Sequence, residues 1–262
     1  MLECVVNVSE GSHPALVAEI AAAAGDRLLD VHSDRHHNRS VLTLVGEEAP
    51  QDVARAAVAR LDLRRHRGVH PRLGVVDVVP FVPLSGSTMA DAEAARDRFT
   101  AWIARDLGVP AFAYGRHRSL PEVRRRAFRD LAPDAGPAAP HPTAGAVAVG
   151  ARGPLVAWNV WLAEPDLGRA RDVAAAVRGP ALRALGLQVG QRVQVSMNLV
   201  APDVVGPAEA WDRVAALVPL AGAELVGLVP TAVLERTDPA RWAQLDLDRD
   251  RTIESRLARA GG

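Results

Sequence analysis

Five of the eight histidines fall between residues 32 and 70, at His32, His36, His37, His66 and His70. Imidazole takes and returns a proton near neutral pH, so such a cluster is a candidate for acid–base chemistry. His70 stands out, within the run His66-Arg67-Gly68-Val69-His70-Pro71-Arg72. Pro71 disfavours the helical region for the residue before it, which puts His70 on extended or turn backbone just ahead of a strand. The other reading is a histidine that satisfies local backbone groups.

Metal binding competes with the base reading. His66 and His70 have the i,i+4 spacing of two ligands on one helix face. Gly68 weakens a helix there, no glutamate lies between the two, and Arg64, Arg65, Arg67 and Arg72 repel a divalent cation. His32-x-Asp34-x-His36-His37 is a second, generic chelating run. No metal is expected. The arginines suit an anionic ligand better, because guanidinium pairs with carboxylate bidentately. Arg39, Arg72 and Arg152 each lie beside a predicted strand end. The run Arg116, Arg118, Arg124, Arg125, Arg126 and Arg129 fits a solvated helix face better than a site for a polyanionic tail. Asn7, Asn38, Asn159, Gln194 and Asn198 lie in or at the ends of apolar strands. Buried amides need partners, so these are network residues or substrate contacts.

The chain that must position these groups has 262 residues, 48% of them hydrophobic, enough for one large domain or two lobes. Basic and acidic residues balance at 31 each, and every basic side chain is Arg. That neutrality argues against general affinity for nucleic acid or anionic membrane, and the lack of lysine removes Schiff-base chemistry. Cys4 is the only cysteine, so no intrachain disulfide forms, and it reads as a small buried hydrophobe on a strand. No signal peptide and no membrane-spanning run is evident, and a cytoplasmic protein is the expectation.

Short apolar runs alternate with longer Ala-rich amphipathic stretches, which predicts a mixed α/β fold. Strands are expected over 2–8, 27–31, 40–45 and 75–82, the last closed by Pro80 and Pro83, with helices over 15–24 and 51–63. Pro14 suits the first turn of the first helix. This β-α-β-β-α-β order is that of a ferredoxin-like sheet. A helix over 89–107 and a strand over 111–114 extend the lobe. The second half repeats the order: strands at 155–162, 182–187, 192–199 and 224–229, helices at 167–177 and 208–218. Four prolines between residues 133 and 142 mark a join, and residues 239–260 read as one charged amphipathic helix.

Several motifs together resemble the formiminotransferase family, represented by glutamate formimidoyltransferase. They are Glu3-Cys4-Val5-x-Asn7-x-Ser9-Glu10-Gly11, Asp30-Val31 with Asn38-Arg39, His66-Arg67-Gly68-x-His70-Pro71-Arg72-x-Gly74-x-x-Asp77 and Pro80-Phe81-x-Pro83. Further along come Gly136-Pro137 to Gly145, Gln194-Val195-Ser196-x-Asn198-Leu199 and Val226-Gly227-Leu228-Val229-Pro230. The matches run in order over nearly the whole chain.

The resemblance implies an enzyme that transfers a formimino group from N-formimidoyl-L-glutamate to N5 of tetrahydrofolate, a step of one-carbon metabolism and histidine catabolism. It implies two ferredoxin-like lobes with facing sheets and helices outside: residues 1–132, a linker and folate loop at 133–145, and 146–262. The family's essential histidine falls on His70. Its folate loop falls on Gly136-Pro137-Ala138-Ala139-Pro140-His141-Pro142-Thr143-Ala144-Gly145. Asn7, His32, Asn38, Arg39, Arg72, Asp77, Arg152, Asn159, Gln194 and Asn198 are the expected substrate contacts. Tetrahydrofolate, free or polyglutamylated, would be the co-substrate, the assembly a homodimer, and a separate cyclodeaminase would process the product. His32 departs from the pattern, since the family commonly carries an acid two places after Asp30; this leaves open a folate-binding paralogue with altered catalysis, and the histidine cluster leaves a metal-dependent hydrolase as the further alternative. The connection from Tyr114 to Gly136 is also shorter than is usual in the family.

Overall fold

β1 (Leu2–Val8) is buried on both faces, as its near-continuous apolar sequence requires. It pairs antiparallel with β3 (Arg39–Val45) on one side and β4 (Val76–Pro83) on the other. β2 (Leu28–Asp34) closes one edge against β3. Beyond β4, β6 (Val147–Ala151) and then β5 (Ala111–Tyr114) add in parallel, giving the order β2-β3-β1-β4-β6-β5. The structure is a computed structural model that describes residues 1–68 and 71–260.

Helices α1 (Pro14–Ala22), α2 (Glu48–Arg60) and α3 (Met89–Leu107) cover one face of this sheet. Cys4, Val6 and Val8 meet Ile20, Val53, Ala57, Phe99 and Ile103 there, so Cys4 is the buried hydrophobe its sequence context suggests. The bounds of α3 follow from local chemistry. Thr88 and Asp91 form a capping box at its start, and Gly108, with φ 63°, ends it. A second cluster, Val78, Phe112, Tyr114, Val123, Ala146 and Ala148, lies under α4 (Leu120–Arg126).

The second unit holds β7 (Val156–Leu162), α5 (Leu167–Val177), β8 (Leu182–Val189), β9 (Arg192–Leu199), α6 (Pro207–Ala215) and β10 (Leu220–Val226). Its order β10-β7-β9-β8 repeats β4-β1-β3-β2 strand for strand. The expected repeat in element order is therefore a repeat in sheet topology, and both units are ferredoxin-like.

Three expectations are corrected. The two compact units are Met1–Arg152 and Gly153–Gly262, so residues 133–145 are not the join. β6 lies between β4 and β5, which ties everything up to Arg152 into the first sheet. Pro80 does not close β4 but sits inside it, opposite Gly150 of β6. The tail is not one helix. After α7 (Thr231–Glu235), Asp238 and Asp248 each accept a backbone N–H and start 3-10 turns at Pro239–Arg241 and Arg249–Arg251, and only α8 (Ile253–Ala260) is α-helical. Trp158 Nε1 donates to Leu245 O at 2.9 Å, pinning this tail to its own sheet. No described helix is long and apolar enough to cross a membrane.

Gly150 lets the buried Tyr114 ring lie flat on β6: a Cβ there would be 2.1 Å from Tyr114 Cζ. Gly150→Ala should cost about 1–3 kcal/mol by overpacking. That lowers the melting temperature by roughly 2–4 °C per kcal/mol. Gly222→Ala, where nothing lies within 4 Å of the new carbon, should be near neutral in the same calorimetry. Equal melting of the two variants would contradict this account.

Candidate active site

The loop that carries His70 leaves α2 at Leu61 and returns to the sheet at β4. Residues 69 and 70 lie outside the described residues, so the expectation for His70 falls there. The residues on either side of them are held by a set of specific bonds. At the start of β4 the register against β1 shifts: Asn7 pairs with Val78 but Val8 with Val76. Asp77 is the extra residue of this bulge, and bulges re-aim side chains. The Asp77 carboxylate, 1% exposed, accepts from Leu73 N at 2.6 Å and from Arg124 Nη2 at 2.6 Å. Arg124 Nη1 also donates to Pro71 O at 2.7 Å. On the other side, Arg72 Nη2 donates to Gly68 O.

Asn38 organises the opposite wall. It takes the left-handed φ of 48°, which asparagine tolerates. Its Oδ1 accepts from Gly11 N at 2.9 Å and Ser12 N at 3.2 Å, and its Nδ2 donates to Arg67 O at 2.8 Å. The Asn38 carbonyl accepts from His66 Nε2 at 2.8 Å. A carbonyl accepts only, so His66 carries its proton on Nε2 and presents Nδ1 as an acceptor. That Nδ1 is buried and has no partner among the described residues. Gly68 packs into this corner so closely that a Cβ would lie 2.4 Å from His37 O.

The Pro/Gly-rich segment meets the same loop. Leu63 N donates to Thr143 O at 2.7 Å, Val75 N to Ala144 O at 2.9 Å and Ala146 N to Leu73 O at 3.0 Å. His141 Nδ1 accepts from Ala144 N at 3.0 Å and Thr143 N at 3.3 Å, and His141 exchanges two backbone bonds with Gly145. Residues 136–140 remain exposed.

Asn7 and His32 share the sheet face turned away from α1–α3, in the row His32-Val41-Asn7-Val78. Arg39 Nη2 reaches Asn7 Oδ1, and burial pulls the Arg39 guanidinium down to about 10, which leaves it charged at neutral pH. Arg152 follows β6 at the other end of the sheet, where its N–H donates to Phe81 O, so the structure does not bring Arg152 to Arg39 and Arg72. In the second unit, Asn159 Nδ2 donates to Glu224 Oε2 at 3.0 Å, Asn198 is exposed, and Gln194 is 1% exposed with Oε1 unpartnered among the described residues. Asp34 Oδ1 accepts from His36 N and His37 N, so this carboxylate is turned to its own loop.

Arg124 is the residue that sequence reasoning missed, placed on a solvated face with its neighbours. Arg126 does lie at the surface, on Glu122 and Asp130. The only signal was that Arg124 follows the buried Val123.

Burial holds His66 below its ordinary 6.5, against the upward pull of the Asn38 carbonyl. The opened loop therefore binds a proton more readily than the closed one. Stability is complete above about 6.5 and is lost as pH falls through that value. Amide exchange at Gly11, Ser12 and His66, corrected for intrinsic rate, should lose protection as pH falls below about 6.5. His66→Gln keeps a donor without titrating and should flatten this dependence. A pH-independent wild type would contradict it.

Comparison with known proteins matches this arrangement to one family. The model of the formiminotransferase domain, N-terminal subdomain, matches residues 1–152, the extent of the first unit. Glutamate formimidoyltransferase of Streptococcus pyogenes serotype M1 is 35% identical over 89% of this chain and 90% of its own length. Glutamate formimidoyltransferase of Thermoplasma acidophilum is 31% identical over 99% and 98%. Formimidoyltransferase-cyclodeaminase of Sus scrofa is 34% identical over 89% of this chain and 51% of its own length. With the motifs in order and the site loop built from them, the chain belongs to the formiminotransferase domain family.

Proposed function

We propose that this protein is a glutamate formimidoyltransferase, moving the formimino group of N-formimidoyl-L-glutamate to N5 of tetrahydrofolate. The observation that carries the reading is the meeting of two motif segments. The residues that flank the segment holding His66, Gly68, Pro71 and Arg72 bond to the end of the Pro/Gly-rich loop, Leu63 to Thr143, Val75 to Ala144 and Leu73 to Ala146. The flanks of the two segments thus meet, in a chain whose relatives carry that activity in their names.

In this reaction the N5 lone pair attacks the formimino carbon and forms the new C–N bond. His70 accepts the proton that N5 gives up. The bond from that carbon to the glutamate nitrogen then breaks, and the leaving nitrogen takes the proton back from His70, so the base ends as it began and glutamate departs as the amine. A positioned base contributes roughly 10²–10⁴-fold. Arg39 and Arg72 are the carboxylate partners, Arg39 because it stays charged despite burial. Residues 136–145 hold the pterin, and Asn7, Asn38, Asn159, Gln194 and Asn198 serve as polar contacts or their supports. Asp77 acts through the loop, since Leu73 and Arg124 use both its oxygens. The reading includes a cytoplasmic homodimer, tetrahydrofolate in free or polyglutamylated form, and hand-over of the product to a cyclodeaminase.

His32 favours one alternative, a paralogue that binds folate without turnover. It lies in the same cross-strand row as Asn7, where the family commonly has an acid to support the base.

His70→Ala should lower the rate of glutamate release by about 10²–10⁴-fold while tetrahydrofolate binding, followed by calorimetry, stays within a few-fold. An unchanged rate would remove His70 from the mechanism. Tight folate binding by the wild type with no turnover of any formimino or formyl donor would favour the paralogue.

A further inference from the structure

We propose that His141 is a positioning residue for tetrahydrofolate binding: its imidazole closes the turn that ends the Pro/Gly-rich loop. The proposal rests on the reading that residues 136–145 hold the pterin. The exposed stretch 136–140 carries two prolines and runs between two anchors. At its start, Ala111 N donates to Ala135 O at 3.0 Å. At its end, His141 and Gly145 exchange backbone bonds of 2.8 and 2.9 Å around the turn Pro142-Thr143-Ala144.

His141 satisfies every N–H of this turn. Pro142 has none, and Gly145 N donates to His141 O. Thr143 N and Ala144 N both donate to His141 Nδ1, at 3.3 and 3.0 Å. The ring nitrogen accepts in both bonds, so the imidazole is neutral with its proton on Nε2. With its amides turned in to His141, the turn directs its carbonyls outward, where Thr143 O accepts from Leu63 N at 2.7 Å and Ala144 O from Val75 N at 2.9 Å. Leu63 and Val75 lie on the two limbs of the histidine loop. Gly145 is pressed into the same corner, since a Cβ on it would lie 2.3 Å from Leu73 O. Ala144 is 1% exposed, and a buried N–H left without an acceptor is costly to keep. Without the imidazole the turn opens and 136–140 loses its second anchor. Only molecules with the turn closed then bind, and apparent affinity falls with their fraction. Thr143 is the only other residue of 136–145 with a polar side chain, so the segment holds no close substitute.

The test measures tetrahydrofolate affinity by calorimetry for wild type, His141→Ala, His141→Gln and His141→Asn, with amide exchange at Thr143 and Ala144 followed in each. His141→Ala and His141→Gln should weaken binding about 5–50-fold and lose protection at both amides. Asparagine carries an oxygen where histidine carries Nδ1, and its side chain closes turns on N–H groups just ahead of it, so His141→Asn should recover most of both. Glutamine places its oxygen one bond farther out and should not. In the glutamate-release assay, KM for tetrahydrofolate should rise with the dissociation constant, while KM for N-formimidoyl-L-glutamate stays within about twofold. Wild-type affinity in His141→Ala, equal affinities in the Asn and Gln variants, weakened binding with full amide protection, or an equal rise in both KM values would each overturn the proposal. Binding by wild type that is unchanged in His141→Ala sinks this inference alone; a wild type that binds no tetrahydrofolate sinks the reading of the loop and this inference with it. If His141→Ala is unfolded at the assay temperature, His141→Gln, closer to histidine in size, carries the comparison with His141→Asn.

Discussion

A carboxylate that is 1% exposed within a sheet must find both hydrogen bonds and a counter-charge, and the first unit is arranged so that Asp77 has them. The bulge opposite Asn7 and Val8 turns Asp77 out of the ladder toward Leu73 and Arg124. Removing one partner of such a buried pair typically costs about 3–5 kcal/mol, so the arrangement is held to one geometry. The return limb of the histidine loop, at Pro71 and Leu73, is anchored on this pair. α4 lies over β5 and β6 so that Arg124 points inward, and the segment 141–146 then runs beside Leu73 and Val75 with its own backbone bonds satisfied.

A second anchor works from the far side. Asn38, between β2 and β3, ties Gly11, Ser12, Arg67 and His66 together through side chain and backbone. The described flanks of the loop are therefore held on one side by a turn and on the other by a helix. Rigid support on both sides of a short functional stretch is what acid–base chemistry needs, since a proton is transferred over tenths of an ångström. The buried acceptor Nδ1 of His66 is a polar group retained inside this structure at a cost in stability, as expected where a site is built.

Much of this was legible in the sequence. Helix α3 reads directly, because Thr88, Asp91 and Gly108 mark its ends chemically, and β1 reads from its apolar run. The repeat was legible as an order of elements and turned out to be a repeat of sheet topology. β6 was not legible. Val147-Ala148-Val149-Gly150-Ala151 is short, small and preceded by prolines, and it becomes a strand only by pairing with β4 and β5, one of them about seventy residues away. For that reason the prolines of 133–142 looked like a join between lobes when they lie within the first unit. Arg124 was hidden for a related reason: three consecutive arginines have the same chemistry, and only the packing of Val123 decides which one faces the sheet. The tail was misread because Asp238 and Asp248 cap turns that amphipathic spacing does not reveal.

The measurement closest to the central claim is glutamate release by the wild-type protein from N-formimidoyl-L-glutamate, followed with and without tetrahydrofolate. The account predicts release only when tetrahydrofolate is present, with one glutamate formed for each 5-formimidoyltetrahydrofolate. Release at the same rate without tetrahydrofolate, or none with it, would contradict the account.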